Sequence, residues 1–177
     1  QLTSSYGNTL QRNKALSENN IGLHFVYASN NVFDNNRIIG GPSSAIAIHF
    51  GAGFNNTFTN TEIIFNGSPG GTAIIFNFGS ENNSFRDTVI ESNGFWFGSS
   101  GNNTMENTEF KAGNGSIRII PLVIVPSGAF AGKPELNITY NRAFLNSTAL
   151  PFFNTSAEIT LRNINFSNPK AIADFDD

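Results

Sequence analysis

Residues 55–63 read NNTFTNTEI, and close variants stand at 31–38 (NVFDNNRI), 83–90 (NSFRDTVI) and 103–110 (NTMENTEF). Aligning the phrases sets an apolar anchor at Leu10, Phe33, Phe58, Phe85 and Met105, with spacings of 23, 25, 27 and 20 residues. Five residues after each anchor comes a second apolar column of Ala15, Ile38, Ile63, Ile90 and Phe110. Two residues after each anchor runs a polar column of Arg12, Asn35, Asn60, Asp87 and Asn107. A third apolar stretch closes each unit: GLHFV, AIAIHF, TAIIFNF, GFWF and SIRII. A repeat of this period restricts the chain to a stacked architecture.

No unit carries an apolar spacing long enough for a helix, and the Leu-rich signature of leucine-rich repeats is missing. Three short apolar pieces separated by polar turns suit one coil of a three-sided β-helix, with equivalent residues stacked about 4.8 Å apart. The sequence therefore predicts an all-β, right-handed parallel β-helix of about five coils. In such a stack Phe33 lies between Leu10 and Phe58. The polar column takes left-handed corner angles, and stacked amides can bond along it. Insertions such as Gly67-Ser68-Pro69-Gly70-Gly71 loop out at a corner. A β-sandwich is the alternative, but it leaves four in-phase copies of the phrase to chance.

After Met105 the repeat fades. The runs SIRIIPLVIV, ELNITYNRAF, ALPFF and AEITLRNINF read as strands. The last alternates through Ile159, Leu161, Ile164 and Phe166, apart from a slip at Asn163. The expected division is residues 1–120 as β-helix repeats and 121–177 as a β-rich cap or continuation. Solenoid ends need such cover. Starting at Gln1 and ending Asp174-Phe175-Asp176-Asp177, the chain reads as a processed protein or a piece of a longer one.

Composition narrows the function. The 13 acidic and 10 basic residues give a net charge of -3, with no basic field for nucleic acid or a membrane surface. No apolar run reaches the roughly 18 residues of a membrane-spanning helix. Cysteine is absent, which removes disulfides and thiolate metal ligands. No nucleophile elbow, phosphate loop or zinc-protease motif is present. No cofactor, metal or catalytic residue is expected.

The phrase NNTFTNTEI resembles the parallel β-helix repeat of NosD-like and pectin-lyase-like proteins. The tail from LNITYNRAFLNSTALPFF onward is similar to segments that follow such repeats in large secreted or cell-surface proteins of archaea. The resemblance implies a β-helix and a surface protein, and brings no catalytic residues with it. A NosD-like role in metal delivery fits poorly with two His, one Met and no Cys.

Carbohydrate-active β-helices need clustered carboxylates. Here Asp34 and Asp87, and likewise Glu62 and Glu109, fall two coils apart, about 10 Å. They read as solvated surface acids. Asp174, Asp176 and Asp177 could form half of a Ca²⁺ site. A more suggestive column is His24, His49, Asn77 and Trp96, aligned from the phenylalanine after each. If those phenylalanines face in, the column faces out, as a surface for a glycan or a protein partner.

The densest motif is Asn-X-Ser/Thr, at Asn55, Asn66, Asn82, Asn102, Asn114, Asn137, Asn146, Asn154 and Asn165. Asn55, Asn82 and Asn102 follow from the repeated corner, and Pro69 weakens Asn66. The expectation is a non-catalytic structural component of an extracellular or cell-surface assembly, an adhesin stalk, sheath or filament, glycosylated at its corners. Its partners would be further copies of itself, neighbouring modules or glycans. The alternative is a carbohydrate-binding or carbohydrate-active β-helix working on one flat face.

Overall fold

The structure is a computed structural model. It describes residues 1–18, 21–43, 46–67, 72–77, 79–92, 97–98, 101–131, 135–140 and 142–164. Trp96, Asn165, Asp174, Asp176 and Asp177 lie outside the described residues.

Each repeat folds into three short strands separated by tight turns. The first coil holds β1 (Leu2–Thr3), β2 (Thr9–Gln11) and β3 (Lys14–Ser17). The second holds β4 (Ile21–Val26), β5 (Val32–Asp34) and β6 (Arg37–Gly40), and the third β7 (Ile46–Gly51), β8 (Thr57–Thr59) and β9 (Glu62–Phe65). The fourth holds β10 (Thr72–Asn77), β11 (Ser84–Arg86) and β12 (Val89–Ser92), and the fifth β13 (Phe97–Gly98), β14 (Asn103–Glu106) and β15 (Thr108–Ala112). Corresponding strands pair in parallel, building three sheets of five parallel rungs. Only the three middle coils have a parallel neighbour on both sides in every sheet. The enclosed solenoid is thus about three turns, fewer than the expected five, because the outer rungs are ends.

The corners turn on left-handed residues. Arg12, Asn35, Asn60, Asp87 and Asn107 all have φ between 45° and 55°, as the polar column requires. Asn30, Asn55 and Asn82 turn a second corner at φ 54–58°. Ser4, Tyr27 and Ala52 bend the same connection earlier, directly after β1, β4 and β7. Asparagine tolerates this region better than most residues, since its short amide can bond locally.

Inside, like stacks on like. Leu10, Phe33, Phe58, Phe85 and Met105 occupy consecutive rungs, as do Ala15, Ile38, Ile63, Ile90 and Phe110. Phe33, Phe58 and Phe85 stack with centroids 4.6–4.8 Å apart. Phe25, Phe50 and Phe76 form a second stack at 4.6–4.8 Å. The two stacks meet edge to face, as at Phe50 and Phe58, 5.8 Å apart. Offset stacking and edge contacts are the favourable aromatic geometries, worth about 0.5–1.5 kcal/mol per pair beyond burial.

Beside the aromatic core runs a ladder of Asn8, Asn31, Asn56, Asn83 and Asn103, exposed at Asn8 and buried beyond it. The last four are each 0% exposed. Asn56 shows the pattern. Its backbone N–H and its Nδ2 both donate to Asn83 Oδ1, each at 3.0 Å. Nδ2 also donates to the Ala28 carbonyl at 3.0 Å. Its Oδ1 accepts from Asn31 N–H (3.1 Å) and Asn31 Nδ2 (2.9 Å), and its carbonyl accepts from Ser84 N–H at 2.9 Å. Every polar group of the residue is satisfied without water, which is what burial demands.

Beyond the fifth coil the strands reverse. β16 (Gly115–Ile119), β17 (Val123–Val125) and β18 (Phe130–Ala131) run antiparallel to β15, β14 and β13. A hairpin of β19 (Leu136–Thr139) and β20 (Arg142–Leu145) follows, and β21 (Ala157–Leu161) pairs with β16. The run ALPFF is not a strand. Pro151–Phe153 forms a 3₁₀ turn that drives Phe153 against Phe110, centroids 5.6 Å apart. Proline at the first turn position lacks only a donor that would be unpaired there anyway.

Candidate functional site

Three surface features are assembled by this stacking. The first is the outer face of β4, β7 and β10. Alternation along β4 and β7 turns Phe25 and Phe50 inward, which turns His24 and His49 outward on adjacent rungs. Their rings stack at 4.7 Å with planes 13° apart. Asn77 is not the next rung of this column. Ile75 pairs with His49, while Asn77 pairs with Gly51. The sequence TAIIFNF offers two phenylalanines two residues apart, and it is Phe76 that takes the rung above Phe50. Asn77 nevertheless reaches His49: its Nδ2 lies 3.0 Å from His49 Nε2. A Cβ at Gly51 would stand 3.3 Å from the Phe25 carbonyl oxygen and 3.6 Å from His24 Nε2, so glycine fits closely beneath this face.

Both imidazoles are harder to protonate than a free one. Burial lowers the pKa of His24, assisted by the N-terminal ammonium. Burial lowers that of His49 too, assisted by the charge of His24. With the Asn77 amide donating to Nε2, the His49 proton sits on Nδ1, which is buried without a hydrogen-bond partner. Two imidazoles binding one Zn²⁺ need nitrogens about 2.0–2.1 Å from it on converging vectors. Parallel stacked rings do not converge. Among the described residues no three of His, Cys, Asp or Glu are grouped to hold a metal ion.

The second feature is the outer row of the third sheet. Glu62, Val89 and Glu109 occupy successive rungs, so the two carboxylates are separated by a valine rung. Arg37 pairs with Glu62 at 2.7 Å, and Arg118 bridges Glu109 at 3.2 Å and Glu158 at 3.5 Å. Beside them, Lys111 pairs with Glu91 and Arg86 with Glu106, both at 2.8 Å. The short Val89 leaves a shallow hollow of about 120 Å³, lined also by Asp87, Thr88, Asn107, Glu109 and Arg118. Burial acts to raise the Glu109 pKa. Hydrogen bonds from Ser116 and Arg118 and the charges of Arg118 and Arg162 outweigh it, and the carboxyl is held below its ordinary value. A general acid needs the opposite shift. Asp87 accepts from Asn107 Nδ2 at 2.6 Å, and Asp34 accepts from Asn60 Nδ2 at 3.3 Å. The role of Arg118 was invisible in the sequence, because it lies across an antiparallel pairing that the repeat did not announce.

The third feature is the set of sequon asparagines. Asn55 and Asn82 occupy the left-handed corner immediately before the ladder residues Asn56 and Asn83, and both are exposed. Asn102 is exposed as well, but its Oδ1 accepts from Ser127 N–H at 3.1 Å. Asn66 and Asn154 are exposed, whereas Asn114, Asn137 and Asn146 are half-buried. Asn137 lies within β19, and Asn146 Oδ1 caps Ala149 N–H at 3.0 Å. Asn55 Nδ2 donates to Asn30 Oδ1 on the preceding coil at 3.3 Å, so exposure of a sequon corner does not leave its amide free.

No curated protein and no solved structure matches the chain at a significant level. A family model described as the right-handed beta helix region matches residues 1–166. That family includes enzymes as well as non-enzymes. The match covers the parallel coils and most of the antiparallel end, and the coils repeat the same corner, ladder and core positions. The chain belongs to the right-handed β-helix family.

Proposed function

We propose that this chain is a non-catalytic structural component of an extracellular surface assembly, with the parallel coils through Ala112 as a repeat body and the antiparallel strands from Gly115 onward, a few residues earlier than the expected boundary at 120, as its cap. One observation carries the reading: Asn55 and Asn82 head sequons at exposed, left-handed corners, although the Asn55 amide must release its bond to Asn30 Oδ1 to accept a glycan. The pairing of surface charges rung to rung supports it, because the flat faces are occupied with their own neighbours. The likeness of the tail to segments of large archaeal surface proteins supports it too. Its partners are neighbouring modules of the same assembly. The test is intact mass with glycopeptide mapping of the natively produced protein. Glycans at Asn55 or Asn82 on surface-associated material are expected. Unmodified protein free in solution overturns the reading.

A second reading is favoured by the stacked His24 and His49 rings on the outer face of β4 and β7. In it, the His24, His49 and Asn77 face binds a saccharide, with Trp96 as the aromatic residue of the following repeat. A glycan panel tests this with Trp96→Ala and His49→Ala in parallel. Binding lost in either variant supports it, and no binding to any glycan rejects it.

A further inference from the structure

Among the described residues the hairpin of β19 and β20 forms a sheet of its own. A two-stranded ribbon is marginal in water and depends on what packs against it. Leu136, Ile138, Ala143 and Leu145 rest on the core. Alternation puts Asn137, Thr139, Arg142 and Phe144 on the outer face. There Asn137 stands directly opposite Phe144, and Thr139 opposite Arg142. The Arg142 guanidinium carbon lies 4.9 Å from the centre of the Phe144 ring, over one of its two faces. Phe144 is thus a large apolar side chain held half-buried on the side away from the core. Asn137 and Thr139 are also the first and third residues of a sequon. In an extended strand they share a face, so amide and hydroxyl point outward together. At Asn55, Asn102 and Asn146 an amide atom is bonded to a neighbour. Among the described residues the Asn137 side chain has no hydrogen-bond partner.

We propose that Asn137 is a glycosylation site whose first sugar packs on Phe144. Directly opposed residues of an antiparallel pair hold their Cβ atoms about 4.5–5.5 Å apart, so a ring linked to Asn137 Nδ2 meets the Phe144 ring without bending the ribbon. The C–H side of a pyranose carries slight positive charge and suits the negative face of an aromatic ring. The linkage forms when Nδ2 bonds to the anomeric carbon of an activated glycosyl phosphate. The phosphate leaves with the bonding electron pair, and one amide hydrogen leaves as a proton. The inference rests on reading the chain as a glycosylated surface component. It gives the glycan a structural part, as cover for the outer side of a ribbon whose inner side is already packed.

Glycopeptide mapping of the natively produced protein comes first, and occupancy at Asn137 is expected. A bare Asn137 beside an occupied Asn55 or Asn82 overturns this proposal and leaves the functional reading standing. Bare asparagines at all nine sequons remove both. Amide exchange is then followed in peptides covering β19 and β20, in protein from the same source. The parent is compared with Thr139→Ala, which removes the sequon, and with Thr139→Ser, which keeps it. The glycan should slow exchange about 2- to 10-fold in the parent and in Thr139→Ser relative to Thr139→Ala, as one aromatic contact does. The same comparison is repeated with Phe144→Thr in every chain, where no slowing is expected. Equal slowing with and without the Phe144 ring, or none in the parent, overturns the contact. Peptides around Asn56 and Asn83 serve as the folding reference in each variant.

Discussion

Asn56 and Asn60 are four residues apart and have opposite fates. Asn60 sits at φ 50° on an exposed corner. Asn56 is sealed in the ladder with both ends of its amide engaged. Replacing Asn56 by Ala strands the Asn31 N–H and the Ala28 carbonyl, each costing about 1–3 kcal/mol. Asn56→Asp should cost more at neutral pH. It keeps an acceptor for Asn31 but sets a buried carboxylate oxygen against Ala28 O and Asn83 Oδ1 with no hydrogen to give. Urea melts of both variants at pH 7 and pH 4 check this. Asp should recover relative to Ala at the lower pH, where it regains a proton. An Asp variant as stable as the parent at pH 7 would refute the ladder. The difference between the two asparagines was partly legible. The position two before the anchor is Asn in every copy, at Asn8, Asn31, Asn56, Asn83 and Asn103, while the position two after it also takes Arg12 and Asp87. A left-handed corner tolerates several residues; a ladder needing donor and acceptor on one side chain does not. The sequence reading stopped at the corner because a polar residue looks like surface. The histidines add a pH dependence. Both folded pKa values lie below 6.5, so the unfolded chain binds more protons just below that pH. Stability should be full above about pH 6.5 and fall as the pH drops through it, before the Glu109 contribution is lost in turn below 4.5. Thermal melts of the parent and of a His24→Gln/His49→Gln double variant should diverge in slope between these values.

At the scale of the element, the strands are too short to be stable singly, and their phase is set by what stacks inside. Phe58 touches aromatic rings on two stacks. Phe58→Ala should cost about 3–5 kcal/mol, while Phe58→Leu should cost much less, since aliphatic residues already fill this column at Leu10 and Met105. Denaturant titration distinguishes them, and equal losses would contradict a column that reads volume rather than aromaticity. The same dependence on stacking explains an error of register. In β10 the period-two pattern holds equally well one step of two residues further on, and only the Phe76 contact with Phe50 decides. ALPFF was misread for a related reason: its apolar content reports burial of Phe153, not the direction of the backbone.

The described chain is a short stack of interchangeable layers followed by an antiparallel closure. The layers were legible because each is written out in the chain. The closure was not, since antiparallel strands after residue 112 share no phrase with the coils and depend on pairings at a distance. Interchangeability has a direct test. Removing residues 31–55 joins Asn30 to Asn56, the same step as Asn55 to Asn56, and sets Asn56 above Asn8. The shortened chain should keep a cooperative β fold with reduced stability by circular dichroism, whereas removing residues 31–43 should abolish it.

The ladder between coils therefore has a meaning at the level of the gene. An in-frame duplication or loss of one unit, by slippage between copies of a repeated stretch of coding sequence, would meet the same donors and acceptors on both sides of the seam. Lineages carrying such a chain can lengthen or shorten it in single steps of one layer. The variation expected among them is in the number of layers rather than in the makeup of any one.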